Sequence, residues 1–154
     1  MQRARIYLAS PLFSAAERRE NLILANAMQP WCDVFLPQRD GDLLPNLIAD
    51  GMHPDIAYVR VFRKDVAALE ACDAILVNLD GRAVDEGAAF ELGYAYARGK
   101  ICVGYHTDPR VLLPSGLNPM VTVPLTRILS SAADVQEWSQ SLRVDHHDSR
   151  VFAR

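Results

Sequence analysis

The sequence predicts a single-domain α/β fold: a doubly wound, flavodoxin-like (Rossmann-like), five-stranded parallel sheet with helices on both faces. Three observations predict it. Short apolar runs alternate with longer segments of helical periodicity, the order that sets parallel strands side by side under two helical layers. The 154 residues match one domain. Composition is ordinarily globular, with 50% hydrophobic and 23% charged residues, and no apolar run approaches the length of a membrane span.

Each element follows in turn. Arg5-Ile6-Tyr7-Leu8-Ala9 reads as a buried strand ended by Ser10-Pro11. Ser14 caps a helix to about Met28, and Glu17 completes a capping box. Leu22, Leu24, Ala25 and Met28 are its apolar positions. Cys32 to Leu36 is a second strand, stopped by Pro37. Residues 37–54, rich in Gly, Pro, Asp and Asn, read as a long loop with at most one helical turn. Loops of that length usually serve function. Asp55 is expected to cap a helix to about Ala71, with Val59, Phe62, Val66 and Leu69 as its buried stripe. Ala74 to Leu79 is the clearest strand, and Asp80-Gly81 turns the chain. A helix from about Asp85 to Arg98 closes on Gly99, with Phe90, Gly93 and Ala97 expected on the sheet. Ile101 to Tyr105 is the next strand, and residues 106–119 form another loop. Met120 to Leu125 is expected as a short last strand, and residues 131–142 as a closing helix with Ala133, Val135, Trp138 and Leu142 inward. The domain is expected to span residues 1–143, followed by a polar tail, 144–154.

Composition narrows the function classes. The 16 basic and 19 acidic residues give a net charge near −3, which disfavours nucleic-acid polymers as partners. Cys32, Cys72 and Cys102 form neither a zinc pair nor a redox motif, and read as buried, reduced thiols of a cytoplasmic protein. His53, His106, His146 and His147 pair with no second ligand at metal-binding spacing, so no metal is expected. The N-terminal stretch is too short for a signal peptide.

Doubly wound sheets bind ligands beyond the carboxyl ends of their strands. That places Ser10-Pro11-Leu12, Pro37 to Gly41, Asp80 to Gly87 and the 106–119 loop on one rim. The common phosphate-cradle motifs and the GxSxG elbow are absent. What remains is a set of carboxylates: Asp40, Asp65, Asp80, Asp85, Glu86 and Glu91. Glu91 stands out in a helix of otherwise apolar or small residues, and Gly87-Ala88-Ala89 leaves room beside it. The positive helix end should favour its ionised form. An ionised carboxylate beside open space suits nucleophilic attack at a sugar carbon; an exposed surface glutamate is the alternative. Asp85 is most simply a helix cap, Asp65 a surface ion pair, and Asn118 a turn residue. Tyr7, on an inner strand, needs a buried partner for its hydroxyl, and a carboxylate of the neighbouring helix could supply it.

Together these segments resemble the nucleoside 2-deoxyribosyltransferase family. The resemblance rests on Ile6-Tyr7-Leu8-Ala9-Ser10-Pro11-Leu12-Phe13, Arg63-Lys64-Asp65-Val66, Cys72 to Gly81 and Gly116-Leu117-Asn118-Pro119-Met120. Asp85-Glu86-Gly87-Ala88-Ala89-Phe90-Glu91-Leu92-Gly93-Tyr94-Ala95 carries it most specifically. The resemblance implies a cofactor-free enzyme that moves a 2-deoxyribosyl group between nucleobases in nucleoside salvage, with slow hydrolysis beside it. Glu91 would be the nucleophile that forms a covalent deoxyribosyl-enzyme, and Tyr7 would orient it. Asp65 and Asp85 would contact sugar and base, Asp85 being the better proton shuttle. Ser10, Gln38 and Gly87 would bind substrate, Gln38 at the base. Asn118 and Met120 would reach a neighbouring subunit's site, in dimers, tetramers or hexamers. Its partners would be 2′-deoxyribonucleosides and free nucleobases, with no nucleic acid or membrane involved. Val144 to Arg154 shows no clear match to the family and receives no role. Two other readings share these residues: a 2′-deoxynucleoside 5′-monophosphate N-glycosidase and a non-catalytic nucleotide-binding module.

Overall fold

A computed structural model describes residues 3–108, 110 and 116–142. The tail, including His146 and His147, lies outside the described residues. The chain runs β1 (Arg5–Ala9), α1 (Ala15–Met28), β2 (Asp33–Phe35), α2 (Pro37–Asp40), α3 (Leu44–Ala49), α4 (Pro54–Ala71) and β3 (Ala74–Asn78). It continues through α5 (Glu86–Ala97), β4 (Ile101–Tyr105), α6 (Pro119–Thr122), β5 (Arg127–Leu129) and α7 (Ala132–Ser141). All strand pairs are parallel, in the order β2-β1-β3-β4-β5. This is the doubly wound arrangement expected, with the switch point between β1 and β3.

The alternation of each strand supplies two cores. Ile6, Leu8, Leu76 and Val103 join Leu24, Ala25 and Met28 of α1 and Val135 and Trp138 of α7 on one face. Tyr7, Ala9, Ile75, Val77 and Cys102 meet Leu69 of α4 and Ala88, Leu92 and Ala95 of α5 on the other. Both faces of the inner strands are thus dry, which is why they read as continuous apolar runs. The three cysteines are buried and free. No helix among the described residues is long and apolar enough to cross a membrane.

Ser14 and Glu17 form the expected capping box of α1. Several other expectations are corrected. Residues 37–54 contain two short helices, α2 and α3, each opened by a proline in its first turn, where the missing N–H costs nothing. His53 rather than Asp55 caps α4. Met120 to Leu125 is not a strand: Asn118 caps the short helix α6 there, and the edge strand is β5, just beyond. In α4, Leu69 is buried, but Val59 and Phe62 are 48% and 56% exposed. In α5, Phe90 is exposed while Ala88, Leu92 and Ala95 meet the sheet; Gly93 and Ala97 also face outward. In both helices the bulky stripe turns away from the sheet, leaving small residues and leucines to make the close approach. Leu22 of α1 and Ala133 of α7 are likewise exposed, while Asn21 and Ser139 are buried in their helices.

Candidate active site

Tyr7 and Glu91 meet at the centre of the molecule. Tyr7 lies fully buried on β1, which is hydrogen-bonded to strands on both sides and so holds the ring rigidly. Phe35 of β2 stacks on it with ring centroids 5.4 Å apart. The Tyr7 hydroxyl donates to Glu91 Oε1 at 2.5 Å. Glu91 lies in the second turn of α5, whose buried face fixes where the carboxylate stands. The alternative of an exposed surface glutamate is thereby excluded.

A cavity of about 300 Å³ opens beside this pair, lined by Asp65, Gly87 and Glu91 and by the apolar side chains of Phe62, Leu69 and Phe90 among others. Leu44, Val61 and Asp65 also line a second cavity of about 580 Å³, bounded by Leu12, Phe13, Arg18 and Gln38. The two spaces therefore adjoin across Asp65. One oxygen of Asp65, Oδ1, is buried and has no hydrogen-bond partner among the described residues. It is no surface ion pair: neighbouring Lys64, with Arg60, is bound instead to Asp42, at 3.1 and 2.7 Å. Gly87 is small for a local reason, since a Cβ there would stand 3.1 Å from Asp85 Oδ1.

The site is acidic and poorly solvated. Burial pushes Glu91 up to about 8; the Tyr7 hydrogen bond opposes this, and the Asp65 and Asp85 charges add to it. The helix end does not keep Glu91 in the ordinary carboxylate range, because loss of water outweighs a partial charge one turn away. Burial likewise raises Asp65 to about 6. Tyr7 is pushed far above its usual value by burial and the two carboxylates, so it remains a donor at any working pH. Such a cluster, with one carboxylate held by a donor and a second carboxyl of raised pKa beside the same cavity, has the groups to attack an electrophilic carbon and protonate a leaving group.

The structure brings together Tyr7, Asp65, Gly87 and Glu91, with Gln38 in the adjoining space. Asp85 stands beside them as the cap of α5, its Oδ1 accepting from Ala88 N at 3.0 Å. Ser10, next along from β1, is buried with its hydroxyl unpartnered among the described residues, and it lines neither cavity. Asn118 caps α6, accepting from Met120 N at 2.9 Å, and Met120 is 81% exposed; neither lines the cavities. Two other rim carboxylates are structural. Asp80 accepts from Thr107 N and Oγ1 and from Asp108 N, pinning the segment after β4. Asp40 pairs with Arg39 and caps Leu36 N. Sequence reasoning missed Leu44, Val61 and Asp42, which lie in or against what read as a loop and carry no local signal. It also missed Asn21, whose signal was legible: it shares the phase of Leu24, Ala25 and Met28. Among the described residues no group of three His, Cys, Asp or Glu side chains is placed to hold a metal ion.

Comparison with known proteins agrees with this fold. The chain's structure is similar to that of a conserved protein from Enterococcus faecalis V583, with 26% identity and a TM-score of 0.76 over 90% of this chain and 98% of that one. It is similar in fold to a 2-deoxyribosyltransferase from the psychrotolerant bacterium Bacillus psychrosaccharolyticus, at 22% identity, a TM-score of 0.66, and coverage of 86% and 90%. A third similar fold is the CMP N-glycosidase BcmB of Clostridium botulinum, at 20% identity, a TM-score of 0.52, and coverage of 90% and 99%. No curated protein sequence matches the chain. The family model for nucleoside 2-deoxyribosyltransferases matches residues 6–149, nearly the whole sequence, and the chain belongs to that family.

Proposed function

We propose that this protein transfers a 2-deoxyribosyl group between nucleobases through a covalent deoxyribosyl-Glu91 intermediate, in cytoplasmic nucleoside salvage. The observation that carries this reading is the Tyr7–Glu91 hydrogen bond, at the wall of a cavity that a second carboxylic acid, Asp65, shares. In the first half-reaction a Glu91 oxygen attacks C1′ and the C1′–N bond breaks. The bond's electron pair leaves with the base, which takes a proton from Asp65. In the second, a nitrogen of the incoming base attacks C1′, the Glu91 carboxylate departs, and that base's proton returns to Asp65. The sugar thus inverts twice and its configuration is retained. Asp65 suits the proton role better than Asp85, because burial brings its pKa up towards neutrality and its buried oxygen has no other partner among the described residues. Asp85, with one oxygen held as a cap, keeps the other for a sugar hydroxyl.

Gln38 fits a base contact in the adjoining cavity, and Gly87 gives the sugar room. Ser10 suits the rim of the sugar site. The exposed Asn118 and Met120, with the apolar outer face of Tyr58, Phe62 and Phe90, support a homo-oligomer in which copies share sites. Sedimentation should show a dimer or a larger assembly; a monomer transferring at full rate would remove this part of the reading.

Incubating 2′-deoxyinosine with the enzyme and adenine should yield 2′-deoxyadenosine. Mass spectrometry of quenched enzyme should show one added deoxyribosyl group, absent from Glu91→Ala. Release of hypoxanthine at full rate without adenine would instead identify a hydrolase. Among described residues near the cavities, Arg60 and Lys64 are bound to Asp42, and Arg18 donates to the Leu12 and Phe13 carbonyls. That favours an uncharged nucleoside over a 5′-monophosphate. Tight nucleoside binding without turnover would point to a binding module.

A further inference from the structure

Asn21 lies on α1, is fully buried, and lines neither cavity. Its Nδ2 donates to the Pro11 carbonyl at 2.8 Å and to Gln38 Oε1 at 2.9 Å. Gln38 Nε2 in turn donates to the Arg18 carbonyl at 3.0 Å. The direction of this chain is settled at both ends. A backbone carbonyl can only accept, so Pro11 O requires the nitrogen of Asn21 and Arg18 O requires the nitrogen of Gln38. Between them, the Asn21 donor meets the Gln38 acceptor, and neither amide can turn over without setting oxygen against oxygen. A glutamine amide has two N–H donors and two lone pairs. The bonds to described residues use one of each, leaving one donor and one acceptor in a fixed order at the wall of the larger cavity.

We propose that Asn21 is a positioning residue that locks the Gln38 amide in one orientation, so that the base pocket distinguishes an amino from a keto nucleobase. This rests on the N-glycosidic reading of the site. A freely rotating amide could serve either base by turning over; a locked one presents its donor to one atom and its acceptor to the next. The opposed base then leaves a buried polar group unpaired, which is how sites of this kind reject a close analogue. Asn21 itself touches no substrate and acts through Gln38.

The test compares kcat/KM within two pairs of donor nucleosides that differ by an amino-to-keto exchange: 2′-deoxyadenosine against 2′-deoxyinosine, and 2′-deoxycytidine against 2′-deoxyuridine. The wild type should discriminate by about tenfold or more within at least one pair. Asn21→Leu keeps the branching at Cγ, with greater bulk, and removes both buried polar atoms of Asn21, one of which, Oδ1, has no partner among the described residues. Discrimination should fall to about threefold or less in it, whatever happens to the rate itself. Asn21→Asp, which keeps the shape but replaces the donor by an acceptor, should lose it too and serves if leucine is not accommodated. Gln38→Leu should erase the discrimination, and adding Asn21→Leu to it should change the ratio no further. An unchanged ratio in a folded Asn21 variant, even with all rates lowered alike, overturns the lock and leaves a merely structural residue. So does a wild type that treats both members of each pair equally. A wild type that cleaves no nucleoside overturns the N-glycosidic reading itself, and the lock with it.

Discussion

Two tyrosine–glutamate hydrogen bonds anchor a buried strand tyrosine to a helix, one on each face of the sheet. Tyr7 of β1 donates to Glu91 of α5 at 2.5 Å, and Tyr105 of β4 donates to Glu20 of α1 at 2.9 Å. Both tyrosines are buried, and burial raises both phenols. The surroundings differ. Glu91 shares a cavity with Asp65 and has the Asp85 charge nearby, and desolvation has raised its pKa to about 8. Glu20 lines neither cavity and ties α1 to the end of β4. A carboxylate held by a phenol is therefore no site in itself. Chemistry needs open space beside the carboxylate and a second acid within reach.

The contrast can be broken experimentally. The largest effect should come from Glu91→Gln, which should lower transfer by about 10⁴-fold or more if Glu91 is the covalent nucleophile we propose. Glu20→Gln should leave kcat/KM within about twofold, since Glu20 lines neither cavity. Next, Tyr7→Phe should reduce kcat about 10–100-fold by removing a charge-assisted hydrogen bond from the reacting carboxylate. Tyr105→Phe should keep the rate and lose about 1 kcal/mol of stability, read by denaturant unfolding. Equal losses of rate in the two phenylalanine variants would erase the distinction.

Two pH measurements sharpen it. The proposed mechanism needs Glu91 ionised and Asp65 protonated; with the two groups at about 8 and about 6, that is the minor of the two singly protonated forms. The kcat/KM profile should accordingly be bell-shaped, highest between these values, falling below about 6 as both are protonated and above about 8 as both ionise. A profile flat from pH 5 to 9, to choose a range of about four units, would remove these groups from the mechanism. Stability gives the smallest effect. The Glu91 pKa is raised from 4.5 to about 8, so the folded chain binds the proton more tightly than the unfolded one. Its contribution is fully present below the unfolded value and is lost as pH rises through the folded one. Glu91→Gln lacks this loss. Its Tm relative to wild type should rise by a few degrees between about pH 5 and about pH 9.

Much of the fold was legible because local and global preferences agree. β1 and β4 are short apolar runs with both faces buried, and their bounds match the sequence reading. The α1 capping box is a purely local signal. The misread segments are those where periodicity names a face but not its partner. Val59, Phe62 and Phe90 recur at helical spacing, yet they face outward or onto the cavity, because small residues on the opposite face give the closer fit to the sheet. β5 is three residues long with no alternation to read, whereas the longer apolar stretch before it is capped by Asn118 and coils instead. Within the site, Glu91 and Tyr7 could be suspected from residue type alone. The dryness that raises Glu91, and the Asn21–Gln38 chain that joins two separate elements, depend on tertiary closeness that no local pattern encodes.

Tyr7 and Glu91 are 84 positions apart. Tyr7 belongs to the first strand made, which stays unflanked until β2 and β3 have come to lie on either side. Glu91 arrives later still, on the helix that crosses from β3 to β4. Parallel pairings of this kind require distant parts of the chain to meet and form slowly. No early fragment can assemble the pair, so a nascent or truncated chain is chemically silent. During refolding, the return of glycosidic cleavage should lag helix formation and keep time with closure of the central sheet, making the reaction a clock for the last stage of folding.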